Sequence, residues 1–396
     1  MTTHTHGRRL SDDGIVIAGG GLTGQRCAET LRRNGYTGAL RLVCAERHLP
    51  YDRPPLSKAA LLDDADARGL AYRAGPWYQR QSVDVLLGVR ATALDADRRT
   101  VALSDGHALR YRRLLIATGG RPRPLPLLSG YDNVSVLRTL EDAARLRSVL
   151  AAGRRLAIIG AGFIGLEIAA TARRRGVAVT IIEAANCPLE GVLGTRLGSW
   201  FARLHRDEGV DVRTGVTVES ALGARSVRSL RLSTGAVVET DHVVVGVGSA
   251  ADVDWLRDSP LGTPAGVTVD AQGRTGLPDV FAAGDAAATF DPVSGRHVAG
   301  SHWEAAARDG TRVAQLMLGL DPGPRPLTSF WTDQYGLRIQ YVGRRRPGDV
   351  LAIDGQPSRR DFTATFLRQG RIVAALLVNR PRQLPAIRQA IEKGTA

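Results

Sequence analysis

GIVIAGGGLTGQRCAETLRRNG, residues 14–35, reads as an apolar β-like run, a glycine-rich turn and a helix-period stretch that stops at a glycine. The same grammar returns as LAIIGAGFIGLEIAATARRRG at residues 156–176. Each copy is followed by a second apolar run, at residues 40–43 and 177–182. Two βαβ units therefore lie in the chain, and they predict an α/β fold with two Rossmann-like dinucleotide-binding domains. In the first turn Gly19 allows the tight bend, Gly21 lets the backbone approach a pyrophosphate, and Gly24 lets helix and strand pack closely. Gly160, Gly162 and Gly165 repeat the pattern. Each helix then aims unpaired N–H groups and a partial positive charge at phosphates.

The acid that such folds place about 20 residues on, to accept hydrogen bonds from an adenosine ribose, is present in both copies. It is Glu46 in the first and Glu183, directly after Thr180-Ile181-Ile182, in the second. A carboxylate at Glu183 suits a free 2′-hydroxyl and repels a 2′-phosphate, which favours NAD over NADP. Ala184 and Ala185 follow it, where an NADP site would use arginines. Two nucleotides on one chain imply hydride traffic between them. One should be a flavin, which takes a hydride at N5 and releases single electrons.

With 396 residues the chain has room for two to three domains. Its net charge of +14 favours an acidic partner or a phosphorylated cofactor. The basic residues are scattered, however, and the runs 173–175 and 344–346 are too short for a nucleic-acid tail. The first run is expected to face solvent. With no basic stripe or DNA motif, nucleic acid is not an expected partner, and a redox-sensing nucleic-acid-binding flavoprotein is only a remote alternative. Among the 53 basic residues only Lys58 and Lys393 are lysines, so an interior lysine calls for an explanation. Cys27, Cys44 and Cys187 form no C-x-x-C pair, which argues against a disulfide scaffold and for a reduced, cytoplasmic setting. No apolar run is long enough to span a membrane, and the N-terminus lacks a signal-peptide core. His4 and His6, in a loose polar start over residues 1–13, are too few for a metal site.

LPYDRPPLSK at residues 49–58 resembles the signature of the FAD-dependent NAD(P)H:ferredoxin reductases of the putidaredoxin-reductase, rubredoxin-reductase and aromatic-dioxygenase-reductase type. The resemblance extends to ATGGRPR (117–123), GAGFIGLEIA (160–169), VFAAGDAA (280–287), a helix opening at Trp303 and FWTDQ (330–334). It implies a glutathione-reductase-like fold. FAD would take residues 1–120 and 249–325, NAD residues 121–248, and a C-terminal α+β domain residues 326–396, after a linker at 322–326. Arg53 and Lys58 match positions that reach FAD, with Lys58 near the flavin ring and paired with Glu167. Asp285 matches the aspartate that binds the FAD ribitol, and Trp303 and Trp331 match aromatic positions bordering the flavin. The implied cofactor-binding set also includes Thr118, Gly119 and Arg121, Gly248 at the end of VVVGVG, and Gly284.

The paired cysteines of related disulfide reductases are missing, so FAD itself is expected to hand on the electrons. Ala299-Gly300-Ser301 replace the family's usual Arg-x-Glu element, and Ala251-Asp252 its Pro-Asn pair. The expected activity is NADH:ferredoxin reductase, with hydride passing to flavin N5 and single electrons to a small acidic [2Fe–2S] ferredoxin that serves a P450 or Rieske oxygenase. A monomer or homodimer is expected. The alternative is an NADH oxidase or a reductase of a small organic acceptor.

Overall fold

The computed structural model describes residues 13–62, 67–291, 295–300, 302–325 and 327–395. His4, His6 and the start up to residue 12 lie outside these, as do Ser301 and Pro326. The chain divides into two compact units. One draws on residues up to Asp52, 67–121 and 250–324; the other on 53–66, 122–249 and 325–396.

The first unit is built on a parallel sheet in the order Val83–Leu87, Leu40–Cys44, Gly14–Ala18, Ala108–Ile116, Val280–Ala282. Its strands Gly14–Ala18 and Val280–Ala282 read as unbroken apolar runs and are buried throughout, as strands covered on both faces are. Ile15, Ile17 and Leu42 pack one face against Cys27 and Leu31 of the helix Leu22–Arg33 and against Val313 and Met317 of the helix Trp303–Met317. Val16, Ala18 and Leu114 pack the other face. The two helices approach closely at Gly310, where a Cβ would lie 2.2 Å from the Thr23 carbonyl oxygen.

A second parallel sheet forms the centre of the other unit, in the order Asp211–Thr214, Ala178–Glu183, Arg155–Ile159, His242–Val245, Val134–Ser135. Beyond it the C-terminal residues form a five-stranded antiparallel sheet from Ser329–Gln334 to Val350–Gln356, backed by the helix Leu384–Thr395. Ile387 and Ile391 of that helix pack on Val342, Ala375 and Leu377. The architecture is the expected one: two dinucleotide folds and a C-terminal α+β part.

Two histidines in this second unit, the buried His205 and the half-buried His242, are held neutral. Burial pulls both His205 and His242 from the ordinary 6.5 down to about 4. Unfolding lets them take up protons, so their contribution to stability is complete above about pH 6.5 and is lost as pH falls toward about 4. The melting temperature of the FAD-loaded protein should therefore drop between pH 7 and pH 5. His205→Asn should flatten that dependence in a melting series; an equally steep dependence would count against this origin.

Candidate functional site

In the first glycine turn each glycine meets a different demand. Gly19 has φ +127°, and a Cβ there would lie 2.0 Å from the Ala117 carbonyl oxygen. A Cβ on Gly24 would lie 2.0 Å from the Gly19 carbonyl oxygen. Gly21, by contrast, has an ordinary φ of −78° and nothing within 4 Å of its Cβ direction. It caps a helix with no side-chain cap and no acid in the first turn. Bare N–H groups beside an open approach fit the pyrophosphate of a dinucleotide such as FAD. Glu46 follows the strand Leu40–Cys44 and accepts a hydrogen bond from the Tyr51 hydroxyl at 2.5 Å.

The other first-unit candidates fall on neighbouring turns. Thr118 donates to the Asp252 carbonyl at 2.6 Å, and the Gly119 carbonyl accepts from the Asp252 amide. Arg121 forms ion pairs with Asp254 at 2.5 Å and Asp252 at 3.5 Å. Gly284 bends at φ +69° directly before Asp285, which lies against Gly120. Burial lowers the pKa of His302, and the negative charge of Asp285 partly offsets it. The indole N–H of Trp303 donates to Asp52 at 2.6 Å, and the Tyr72 hydroxyl donates to the same oxygen at 2.9 Å. Asp52 and Tyr72 carried no sequence signal beyond their place in or near the quoted motif.

The second turn repeats the first. Gly160 has φ +102°, and a Cβ there would lie 2.4 Å from the Gly246 carbonyl oxygen. A Cβ on Gly165 would meet the Gly160 carbonyl oxygen at 2.4 Å, whereas Gly162 has nothing within 4 Å. Its helix, Phe163–Arg174, again has no side-chain cap and no acid in its first turn. Glu183 ends its strand with one carboxylate oxygen on the Ala161 amide at 2.6 Å and the other on the Ala185 amide at 2.8 Å. These bonds aim the carboxylate at the turn and leave each oxygen a further lone pair. The nearby cation Arg213 is paired with Asp211 at 2.8 Å. Gly248, at φ +101°, accepts the Arg123 amide with its carbonyl.

Within the same unit the segment carrying Arg53 and Lys58 is pinned to this helix. Thr171 donates to the Ser57 carbonyl at 2.8 Å, and Arg175 donates to the Leu61 carbonyl at 2.6 Å. Arg53 donates to the Arg138 carbonyl at 2.5 Å. Glu167, 6 % exposed, gathers three donors. Lys58 Nζ sits 2.6 Å from Oε2, and Ser57 Oγ donates to the same oxygen at 2.5 Å. Thr332 Oγ1 donates to Oε1 at 2.6 Å. A buried carboxylate needs such partners to keep its charge. The Lys58–Glu167 pairing inferred from the resemblance is thus present; Ser57 and Thr332 are additions that sequence reasoning missed. Trp331, one residue earlier, lies under the Arg338 guanidinium at 5.4 Å.

One surface expectation is corrected. Of the 173–175 run only Arg174 is exposed; Arg173 is half-buried with hydrogen bonds to the Glu208 and Val177 carbonyls, and Arg175 holds Leu61. Long guanidinium stems at a helix end reach the open carbonyls of adjoining segments. The cysteines are all free and buried. Burial raises the Cys27, Cys44 and Cys187 thiols, Cys44 to about 12, so none is poised as a thiolate nucleophile.

Comparison with known proteins agrees with this geometry. Residues 13–310 match the pyridine nucleotide-disulphide oxidoreductase model, and residues 329–396 match the reductase C-terminal model. The chain is 38% identical over 395 residues to the ferredoxin–NAD(+) reductase component of the anthranilate 1,2-dioxygenase system of Burkholderia cepacia, covering 97% of this chain and 95% of that one. It is 36% identical to putidaredoxin reductase of Pseudomonas putida, covering 96% and 92%. The solved covalent putidaredoxin reductase–putidaredoxin complex superimposes with a TM-score of 0.91 at 35% identity, covering 96% of this chain and 93% of that one. By both its matched models and its full-length relatives, the chain belongs to the pyridine nucleotide-disulphide oxidoreductase family, among its FAD- and NAD-dependent ferredoxin reductases.

Proposed function

We infer that the chain is an NADH-dependent ferredoxin reductase, and that no protein thiol takes part in its electron transfer. The observation that carries this reading is the Lys58–Glu167 pair, an ammonium held 2.6 Å from a buried carboxylate on the second glycine helix, in a chain whose three cysteines are buried and unpaired. FAD, when bound, supplies hydride acceptance from NADH and release of electrons one at a time, which suits a one-electron iron–sulfur acceptor. Residues 1–120 and 249–325 are assigned to FAD and residues 121–248 to NADH, with 326–396 as the third domain.

The chain's own groups then bind and orient. The helix N-termini at Gly21 and Gly162 receive the two pyrophosphates, between the close-packed pairs Gly19 and Gly24, and Gly160 and Gly165. Glu46 and Glu183 accept ribose hydroxyls, and Glu183 excludes a 2′-phosphate by like charge. Asp285 accepts from the ribitol at the turn made by Gly284, while Thr118, Gly119, Arg121 and Arg53 complete the FAD contacts. Gly248 lines the nicotinamide side, and Trp303 and Trp331 border the flavin. Lys58 and Glu167 fix the local charge for flavin reduction, a step that rests mainly on positioning. The cytoplasm is the setting this reading gives the enzyme.

A net charge of +14 suits a small acidic [2Fe–2S] ferredoxin, and the full-length relatives named for dioxygenase and putidaredoxin systems support an oxygenase as the final consumer. Raising salt from about 0.01 M to about 0.5 M shortens the screening length several-fold. It should slow ferredoxin reduction by at least about tenfold while leaving NADH bleaching of the flavin nearly unchanged. Steady-state ferredoxin reduction and stopped-flow bleaching, run across the same salt series, check this. Equal effects on both would argue against steering, and full turnover with a small organic acceptor but none with ferredoxins would overturn the partner.

A further inference from the structure

We propose that Tyr335, His205, Gln334 and Thr332 form a one-way chain of hydrogen bonds that ends on Glu167 and fixes the orientation of its carboxylate, leaving Oε2 for Lys58 and Ser57. It rests on the reading above only for the role of Glu167. The direction of every bond follows from the chemistry of its ends. A carboxylate only accepts, so the Thr332 hydroxyl spends its proton on Glu167 Oε1 at 2.6 Å. Thr332 Oγ1 therefore accepts from its other neighbour, Gln334 Nε2, at 3.0 Å. That leaves Gln334 Oε1, an acceptor, facing His205 Nε2 at 2.9 Å. His205 must then carry its proton on Nε2, and its Nδ1 accepts from the Tyr335 hydroxyl at 2.8 Å.

Four donors point the same way, toward one negative charge, and bonds aligned like this polarise one another. Thr332 and His205 are 0 % exposed and Gln334 1 %, so water does not compete for the inner links. Burial keeps His205 neutral and raises the Tyr335 hydroxyl, so each holds the proton that the chain requires. The charged groups facing this outer end are Glu208, Arg173 and Arg360, and Glu208 is paired with Arg360 at 2.7 Å.

The backbone gives an independent sign that the Tyr335 placement matters. Tyr335 and Gly336 form the two-residue turn between the strands Ser329–Gln334 and Leu337–Gly343, with φ of +52° and +76°. Such turns favour Asn or Asp at the first position, because a bulky side chain is strained in the left-handed region. Tyrosine there sets its ring 5.1 Å from the His205 ring and its hydroxyl on Nδ1. Three elements distant in sequence, the second glycine helix, the helix Thr195–Asp207 and the first C-terminal strand, are tied through this chain to one carboxylate.

The test is ¹⁵N NMR of the FAD-loaded protein labelled at histidine, with Thr332→Val, Thr332→Ser and Lys58→Ala alongside. Wild-type His205 should show the Nε2–H tautomer and no titration between pH 6 and pH 8. Thr332→Val frees Gln334 to turn over, so the tautomer preference should be lost and flavin reduction by NADH should slow about tenfold. Thr332→Ser, which keeps the hydroxyl, should restore both. An Nδ1–H tautomer in the wild type would overturn the chain. So would an unchanged tautomer and rate in Thr332→Val when Lys58→Ala is slow. No slowing in either variant would instead remove the role given to the Lys58–Glu167 pair itself.

Discussion

In Lys58→Ala, NADH should bleach the flavin about 10²-fold more slowly than in wild type while FAD stays bound, a loss on the scale of removing one preorganised charge from an active site. Glu167 is 6 % exposed and Lys58 Nζ is its cation, at 2.6 Å. Removing the ammonium leaves a buried carboxylate with, among the described residues, the Ser57 and Thr332 hydroxyls. Breaking one side of such a pair costs more than the pair contributes, because the remaining charge is stranded. Those two hydroxyls still satisfy the carboxylate geometrically, so the fold should survive with a lowered melting point. Glu167→Gln should slow the same step, and the double variant should be no worse than the slower single, since both remove one interaction. Anaerobic stopped-flow absorbance measures all three. A wild-type bleaching rate in Lys58→Ala would end the proposed role.

The second large effect separates the two reasons for glycine within one motif. Gly21→Ala should fold, and even gain about 0.5 kcal/mol through a less disordered unfolded chain, because its φ of −78° suits any residue and its Cβ meets nothing. Its FAD affinity should nevertheless fall about 10²-fold, since the methyl group occupies the approach of the pyrophosphate. Gly162→Ala should do the same for NADH and leave FAD in place. Gly19→Ala should fail for another reason. At φ +127°, with its Cβ 2.0 Å from a carbonyl oxygen, it should lose about 3 kcal/mol or more of stability. Bound flavin per chain, NADH titration and denaturant unfolding distinguish these outcomes. Full FAD retention in Gly21→Ala would contradict the assignment of that helix end.

Much of the fold was legible because it is local. Two strand–glycine–helix units, the acid closing each second strand and the helix at Trp303 all declare themselves within about 30 residues. Lys58 stood out through composition, as one of two lysines among 53 basic residues, and its pairing with Glu167 through the resemblance. What stayed hidden joins residues far apart. Ser57 meets Glu167 across 110 positions, Thr332 meets it across 165, and Trp303 meets Asp52 across 251. A serine or threonine carries no mark of such a bond in sequence, since both are common on surfaces. The hairpin Ala91–Asp95 with Thr100–Leu103 and the small sheet beginning at Val218–Leu222 were also silent. Their strands are only three to five residues long, too short for a periodicity to stand out. The Arg173 and Arg175 side chains misled because charge runs are usually solvated, whereas here backbone carbonyls take their place.

NADH-dependent ferredoxin reduction is tested most directly by anaerobic stopped-flow absorbance of the FAD-loaded protein mixed with NADH, then with NADPH, followed by an oxidised [2Fe–2S] ferredoxin. Fast bleaching by NADH, slow bleaching by NADPH because of Glu183, and return of the flavin absorbance on adding ferredoxin are expected. Bleaching by neither nucleotide, or fast bleaching by NADH with no response to any ferredoxin, would contradict that activity.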